Sequence, residues 1–308
     1  ILLGNVVTHL YLGLNAVLRA SGHPKQAMYA TIATVAINTI LAPIFIFMFD
    51  WGIRGAAIAT VSAQVIALLW QLKQFNNANE LLHFRRGIFR LKRKIVFDSL
   101  AIGMSPFLMN LAACLIVILI NQGLKKYGGD LAIGAFGIVN RLVFIVVMIV
   151  MGLNQGMQPI AGYNFGAKLY DRVNKVLKLT IIYATCVTTF GFLVGMLAPN
   201  LVVGIFTSDA ELTELSATGL RITVMFFPII GFQMVTSNFF QSIGMAGKAI
   251  FLSLTRQMLI LLPCLLILPH FFGVAGVWYS MPVSDLLASL IALVMLVCQF
   301  RKFRTSPL

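Results

Sequence analysis

Few side chains in this sequence can do chemistry, and most of those that can lie inside apolar runs. Asp285 is the only acid well inside such a run. A carboxylate there can take up a proton or coordinate a cation, and its cost in hydrocarbon makes it a functional candidate by default. Its plainer role is a hydrogen-bonding partner near Pro282. Asn38 is an amide at similar depth, able to bond a carboxyl across a helix gap or simply to tie two helices together. Asn110, Asn121, Asn154, Gln155 and Gln233 are further uncharged polar groups that each need a partner in lipid. Together with Met104 and Met157 they suit an adaptable cavity, because methionine repacks readily around varied ligands. Methionine is equally at home in an ordinary membrane core. Pro106 and Pro159 interrupt helical hydrogen bonding and are candidate bend points. Arg141, Arg221 and Arg256 also fall within apolar runs, where snorkelling or pairing suits them better than contact with a cationic ligand.

Other chemistries are missing their residues. The four cysteines, Cys114, Cys186, Cys264 and Cys298, stand singly in four different runs with no metal-ligand spacing. With nine acids in all, the chain has no paired Asp-rich motif for a metal-bound diphosphate, which argues against a membrane prenyltransferase. No nucleotide-binding glycine loop is present. No catalytic residue, metal or organic cofactor is therefore expected, and the chain is not expected to be an enzyme.

The elements that position these groups must be membrane helices. The chain is 59% hydrophobic and only 10% charged, more apolar surface than a soluble core of 308 residues can hide. Its apolar runs are continuous rather than alternating, which excludes barrel strands. Nine spans are predicted, at about 1–18, 27–49, 53–76, 96–122, 131–160, 176–198, 212–239, 249–270 and 274–299, each of a length that crosses a ~30 Å hydrocarbon layer. The chain opens inside an apolar run with no charged leader, and is expected to lack an N-terminal part.

Two features organise the spans. The stretch around Gly22, between the first and second, nearly recurs around Gly244, and Gly52 and Gly55 ahead of the third recur as Gly273 and Gly276. Such an echo marks a duplicated transporter, with the first three spans matching the last three. The net charge of +14 is placed asymmetrically. Arg85, Arg86, Arg90, Lys92, Arg93 and Lys94 fill one polar loop, and threading the spans puts Arg19, Lys25, Lys73, Lys168, Arg172, Lys175, Lys178, Lys248, Arg301, Lys302 and Arg304 on the same side, with only Arg54, Lys125 and Lys126 on the other. Asp50, Asp130, Asp209, Glu211 and Glu214 gather on the other. The basic side reads as cytoplasmic and in contact with anionic lipid, not as a nucleic-acid site.

Specific motifs join these features. The run Asn154-Gln155-Gly156-Met157-Gln158-Pro159-Ile160-Ala161-Gly162-Tyr163-Asn164-Phe165-Gly166 resembles the segment-eight signature of the multidrug and toxic compound extrusion (MATE) transporters. Leu18-Arg19-Ala20-Ser21-Gly22-His23-Pro24 with Ile37-Asn38-Thr39, and Gly276-Val277-Trp278-Tyr279-Ser280-Met281-Pro282, are similar to the same family, nearest its bacterial DinF-like and MepA-like branch. The resemblance covers the whole chain. It implies an all-α integral membrane protein with a two-lobed MATE-like transporter fold of duplicated six-helix halves, of which about nine helices are present. Residues 1–76 would be the last three helices of the N-lobe, 77–95 a basic cytoplasmic linker, and 96–308 the six-helix C-lobe. The implied activity is secondary active efflux from the bacterial cytoplasmic (inner) membrane. Small amphipathic, often cationic compounds would exchange for H+ or Na+ by alternating access, in a protein expected to be a monomer. A lipid-linked saccharide flippase of the same superfamily, or a membrane channel, is the alternative.

Carried over residue by residue, the family's ion sites are mostly unfilled. Asn38 matches a segment-five Asn, but the acid expected one turn later is Ala42. Where some members place a segment-seven Glu, this chain has Cys114, and Ile229-Ile230-Gly231-Phe232-Gln233 lacks their segment-ten Asp. The resemblance thus implies a coupling carboxylate on a first helix outside this chain, with Asn38 as its neighbour.

Overall fold

The computed structural model describes residues 4–76, 83 and 91–305. The described residues are helical, with no strand among them, and divide into two compact units, Ile1–Lys92 and Arg93–Leu308. Residues 77–82 and 84–90, most of the linker expected at 77–95, lie outside the described residues.

The N-terminal unit holds three helices, α1 (Asn5–Ala20), α2 (Pro24–Pro43) and α3 (Gly52–Phe75), with a π-helical turn at Ile44–Met48 closing α2. Its packing rests on small residues. Ala59, Ala63, Ala67 and then Gln71 recur every four positions along α3, all buried, and on α2 Ala27 and Ala30 are buried as well. In lipid there is no hydrophobic drive between helices, so close approach of backbones at such alanine stripes supplies the van der Waals contact.

The C-terminal unit begins with α4 (Arg93–Gly166), which contains two of the expected spans. No loop separates them at residues 123–130. The helix runs on to Gly128 and changes direction at Gly129, whose φ of 66° and ψ of −161° suit a residue without Cβ. There follow α5 (Tyr170–Leu197), the short α6 (Pro199–Val203), α7 (Ala210–Val224) and α8 (Phe227–Ser242). The single span expected at 212–239 is the pair α7 and α8, bent by 54°. Pro228 has no N–H for the carbonyl of Val224, and the helix breaks there. The unit ends with α9 (Ala246–Leu254), a π-helical turn at Thr255–Leu261, α10 (Leu262–Phe272) and α11 (Val274–Thr305).

By length and hydropathy, six of the described helices can cross a bilayer, seven with the bent pair taken as one span. The doubled α4 and the sixteen-residue α1 account for the rest of the nine. Two apolar cores knit the C-terminal unit. One joins Ile120, Leu124, Phe136, Leu220 and Trp278; the other joins Val150, Met157, Leu177, Phe239, Phe240 and Leu252. Large apolar side chains such as Ile53, Phe190 and Val294 stay exposed, as expected where lipid is the solvent.

The sequence echo is an echo of backbone. Gly22 and Gly244 both have positive φ, 90° and 77°. Each closes the same pair of hydrogen bonds: Gly22 and His23 N–H donate to the carbonyls of Arg19 and Leu18, and Gly244 and Met245 N–H donate to those of Gln241 and Phe240. This is a Schellman turn, which a left-handed glycine completes at little cost. Gly52 and Gly273 again share positive φ, 51° and 57°. Side chains keep the register too: Asn15 and Thr31 are 3.3 Å apart, and their repeat partners Ser237 and Ser253 are 3.0 Å apart.

Candidate functional site

In the N-terminal unit, polar groups tie the three helices in pairs. Asn38 on α2 donates through Nδ2 to Thr60 Oγ1 on α3 at 2.9 Å. Thr60 is a partner that the sequence reading did not single out. On the neighbouring seam Thr8 of α1 donates to Gln64 Oε1 of α3 at 2.6 Å. Asn15 of α1 donates to the Ala27 carbonyl of α2 at 2.9 Å. Gln71 is fully buried, and neither end of its amide has a hydrogen-bond partner among the described residues.

In the C-terminal unit, the residues expected to form a substrate cavity scatter. Asn110 is exposed and folds back to donate to the Pro106 carbonyl at 2.8 Å, one turn behind it. Asn121 is half-buried, Gln155 exposed and Gln233 buried. Met104 is exposed, whereas Met157 belongs to the second core. Asn154 shares that core-facing side of α4 with Val150 and Met157 and is buried, yet its amide has no partner among the described residues at either end. One turn further on, Gln158 reaches across to donate to Asn238 Oδ1 of α8 at 3.3 Å. Pro106 and Pro159 both lie inside α4, which remains helical past each.

The unit has an apolar hollow of about 210 Å³ between α4, α5 and α7, lined by Leu142, Ile145, Gly191, Gly195, Leu220 and Val224 among others. A second, of about 430 Å³, sits beside Glu211, Glu214 and Thr218 near the Gly129 bend. None of the expected cavity residues lines either hollow.

The C-terminal unit also pairs two charged residues that the sequence reading treated separately. Arg256, in the π-helical turn, donates through Nε to Asp285 Oδ1 of α11 at 2.6 Å. The Asp285 side chain is 4% exposed and that of Arg256 33%. Arg256 lies seventeen residues before Gly273 and Asp285 twelve after it, so the two are offset along the hairpin and the long arginine side chain spans the difference. Among the described residues no cluster of His, Cys, Asp or Glu is placed to hold a metal ion, and the four cysteines are unpaired.

These features define a class: a helical membrane protein built from a duplicated hairpin, with sparse polar groups at mid-membrane and an ion pair in one half. Comparison with known proteins gives the family. The family model MatE matches residues 102–266. The solved MATE multidrug transporter DinF-BH is 34% identical and superposes with a TM-score of 0.89 over 99% of this chain and 69% of its own. The chain belongs to the MATE family, a family of transporters rather than enzymes. The multidrug export protein MepA of Staphylococcus aureus (strain MSSA476) is 29% identical over 288 residues, and MepA of Staphylococcus haemolyticus (strain JCSC1435) is 28% identical. These cover 92% of this chain but 62% of the relatives, so the chain spans less than two thirds of the curated relatives' length. At 22% identity, a MOP superfamily transporter from Pyrococcus furiosus shares the fold, with a TM-score of 0.91 over 98% of this chain and 68% of that one.

Proposed function

We propose that this chain is part of a multidrug efflux antiporter that expels small amphipathic, often cationic compounds in exchange for H+ or Na+. The observation that carries the reading is the match to the MepA multidrug export proteins along 92% of the chain, together with the 34% identity to a multidrug transporter. Transport would proceed by alternating access in the bacterial cytoplasmic membrane, and the protein would act as a monomer. Asn38, held by Thr60, would stand beside a coupling carboxylate contributed by a helix that this chain does not include. Asn110, Asn121, Asn154, Gln155, Gln233, Met104 and Met157 would meet substrate, and Pro106 and Pro159 would let α4 bend as the protein changes state. A saccharide-lipid flippase would instead need a strongly cationic cavity for the pyrophosphate.

The test is accumulation of a fluorescent cationic amphiphile in drug-sensitive bacteria expressing the protein. Expected is reduced accumulation that is restored when the proton or Na+ gradient is collapsed. Efflux that survives loss of both gradients points to a channel; absence of any efflux overturns the reading.

A further inference from the structure

The Arg256–Asp285 pair is not required by the hairpin that carries it, and the protein contains its own control. The register that lays Gly22 on Gly244 lays Thr34 on Arg256, and the register that lays Gly52 on Gly273 lays Gln64 on Asp285. The two hairpins turn at positive-φ glycines, Gly52 and Gly273, and the turns before them share the Schellman bonds at Gly22 and Gly244, yet the N-terminal hairpin has no charge at either position. Taking two charges out of water is costly, and their mutual attraction often does no more than offset that cost. An intramembrane pair that the architecture can do without is therefore better explained by function.

Its geometry is that of a presented guanidinium. Asp285 takes Nε from the side, which leaves the N–H groups of both Nη atoms without a partner among the described residues. The carboxylate is buried and the arginine one-third exposed, so the open side of the pair is the fork. The π-helical turn inserts an extra residue per turn and re-aims what it carries, as such turns do at functional sites. On either side of Arg256, the hydroxyl of Thr255 (2% exposed) and Gln257 Oε1 are buried without a partner among the described residues. Leu259, one turn on, is 61% exposed and continues the surface in apolar form.

We propose that Arg256, aimed by Asp285, binds the carboxylate or phosphate group of an amphiphile. A planar fork matches two acceptor oxygens at once, and a desolvated setting strengthens each charge-assisted bond. The site takes a ligand of opposite sign to the cationic compounds of the efflux reading, and does not depend on that reading.

The experiment is thermal unfolding of the purified protein in dodecyl maltoside, titrated with dodecyl phosphate and, as a chain-matched control, dodecyl trimethylammonium. The expected result is a saturable rise in midpoint with the phosphate alone. Arg256→Gln weakens its apparent affinity by roughly tenfold or more, Asp285→Asn weakens it less, and Arg221→Gln leaves it unchanged. The variant Arg256→Thr with Asp285→Gln, which copies the N-terminal unit, keeps the protein folded and abolishes the response. A response that survives in that double variant, or that falls equally with Arg221→Gln, overturns the proposal. In nanodiscs, phosphatidylglycerol that competes with dodecyl phosphate identifies a lipid headgroup as the occupant, and lack of competition identifies a free amphiphile. No ion gradient enters any arm, so failure here is separable from failure of the efflux reading.

Discussion

At the scale of single residues, the bundle shows two different ways of holding polar groups in lipid. Most are satisfied locally: Thr180, Thr188, Thr223, Thr236 and Ser280 each donate to a carbonyl one turn back. Asp285 and Arg256 are bonded, among the described residues, only to each other, and removing one leaves the other uncompensated. Asp285→Asn or Arg256→Gln alone is expected to cost about 3–5 kcal/mol of stability. Removal of both should cost far less than the sum, as a double-mutant cycle of thermal unfolding would read. Additive losses would mean that the two are not coupled. Asn154 behaves in the opposite way, since its buried amide has no partner to lose among the described residues. Asn154→Leu is expected to raise stability by about 1–3 kcal/mol, the penalty of a buried unsatisfied polar group. A fall in the melting midpoint would mean that the amide is bonded in the folded protein.

At the scale of elements, glycine decides how each hairpin closes, and it does so for two separate reasons. Gly22 and Gly244 occupy left-handed backbone with open space around them, so alanine at either meets only conformational strain. Each substitution should cost about 1 kcal/mol, and the two should be equal if the duplication is mechanical as well as visual. Gly276 is a different case: a Cβ there would meet the backbone of Leu268 and Pro269, and its repeat partner Gly55 would meet the backbone of Phe45. Backbone has nowhere to move, so Gly276→Ala and Gly55→Ala are expected to abolish the folded yield in a size-exclusion assay, whereas Gly22→Ala retains it. The sequence located these four glycines by their recurrence alone. It did not distinguish the pair that sets φ from the pair that admits a neighbouring helix, because that difference lies in the distance to another stretch of backbone.

At the scale of the whole molecule, topology is the property that charge placement governs. Basic residues at the Gly166–Tyr170 turn and acids at the Ser208–Glu214 turn should lie on opposite sides of the membrane. With the four native cysteines replaced, a single cysteine at Lys168 should react with an impermeant maleimide only in inverted vesicles, and one at Asp209 only in intact cells. Labelling of both from one side would refute the threading.

Composition and periodicity alone determined that the chain is a helical membrane protein, where most of its spans fall, and that its first three helices repeat its last three. Those properties depend on local hydropathy and on turn residues, which act within a few positions of themselves. What the tertiary structure decided was pairing. Asn38 with Thr60, Thr8 with Gln64, and Arg256 with Asp285 each join residues more than twenty positions apart. The bend at Pro228 and the unbroken helix through Gly123–Gly128 were likewise decided by packing, since Pro106 and Pro159 lie in helix that carries on past them. A membrane interior makes such pairings matter, because a polar group there has no water to fall back on, and only the neighbouring helix determines whether it is satisfied, stranded or left open to a ligand.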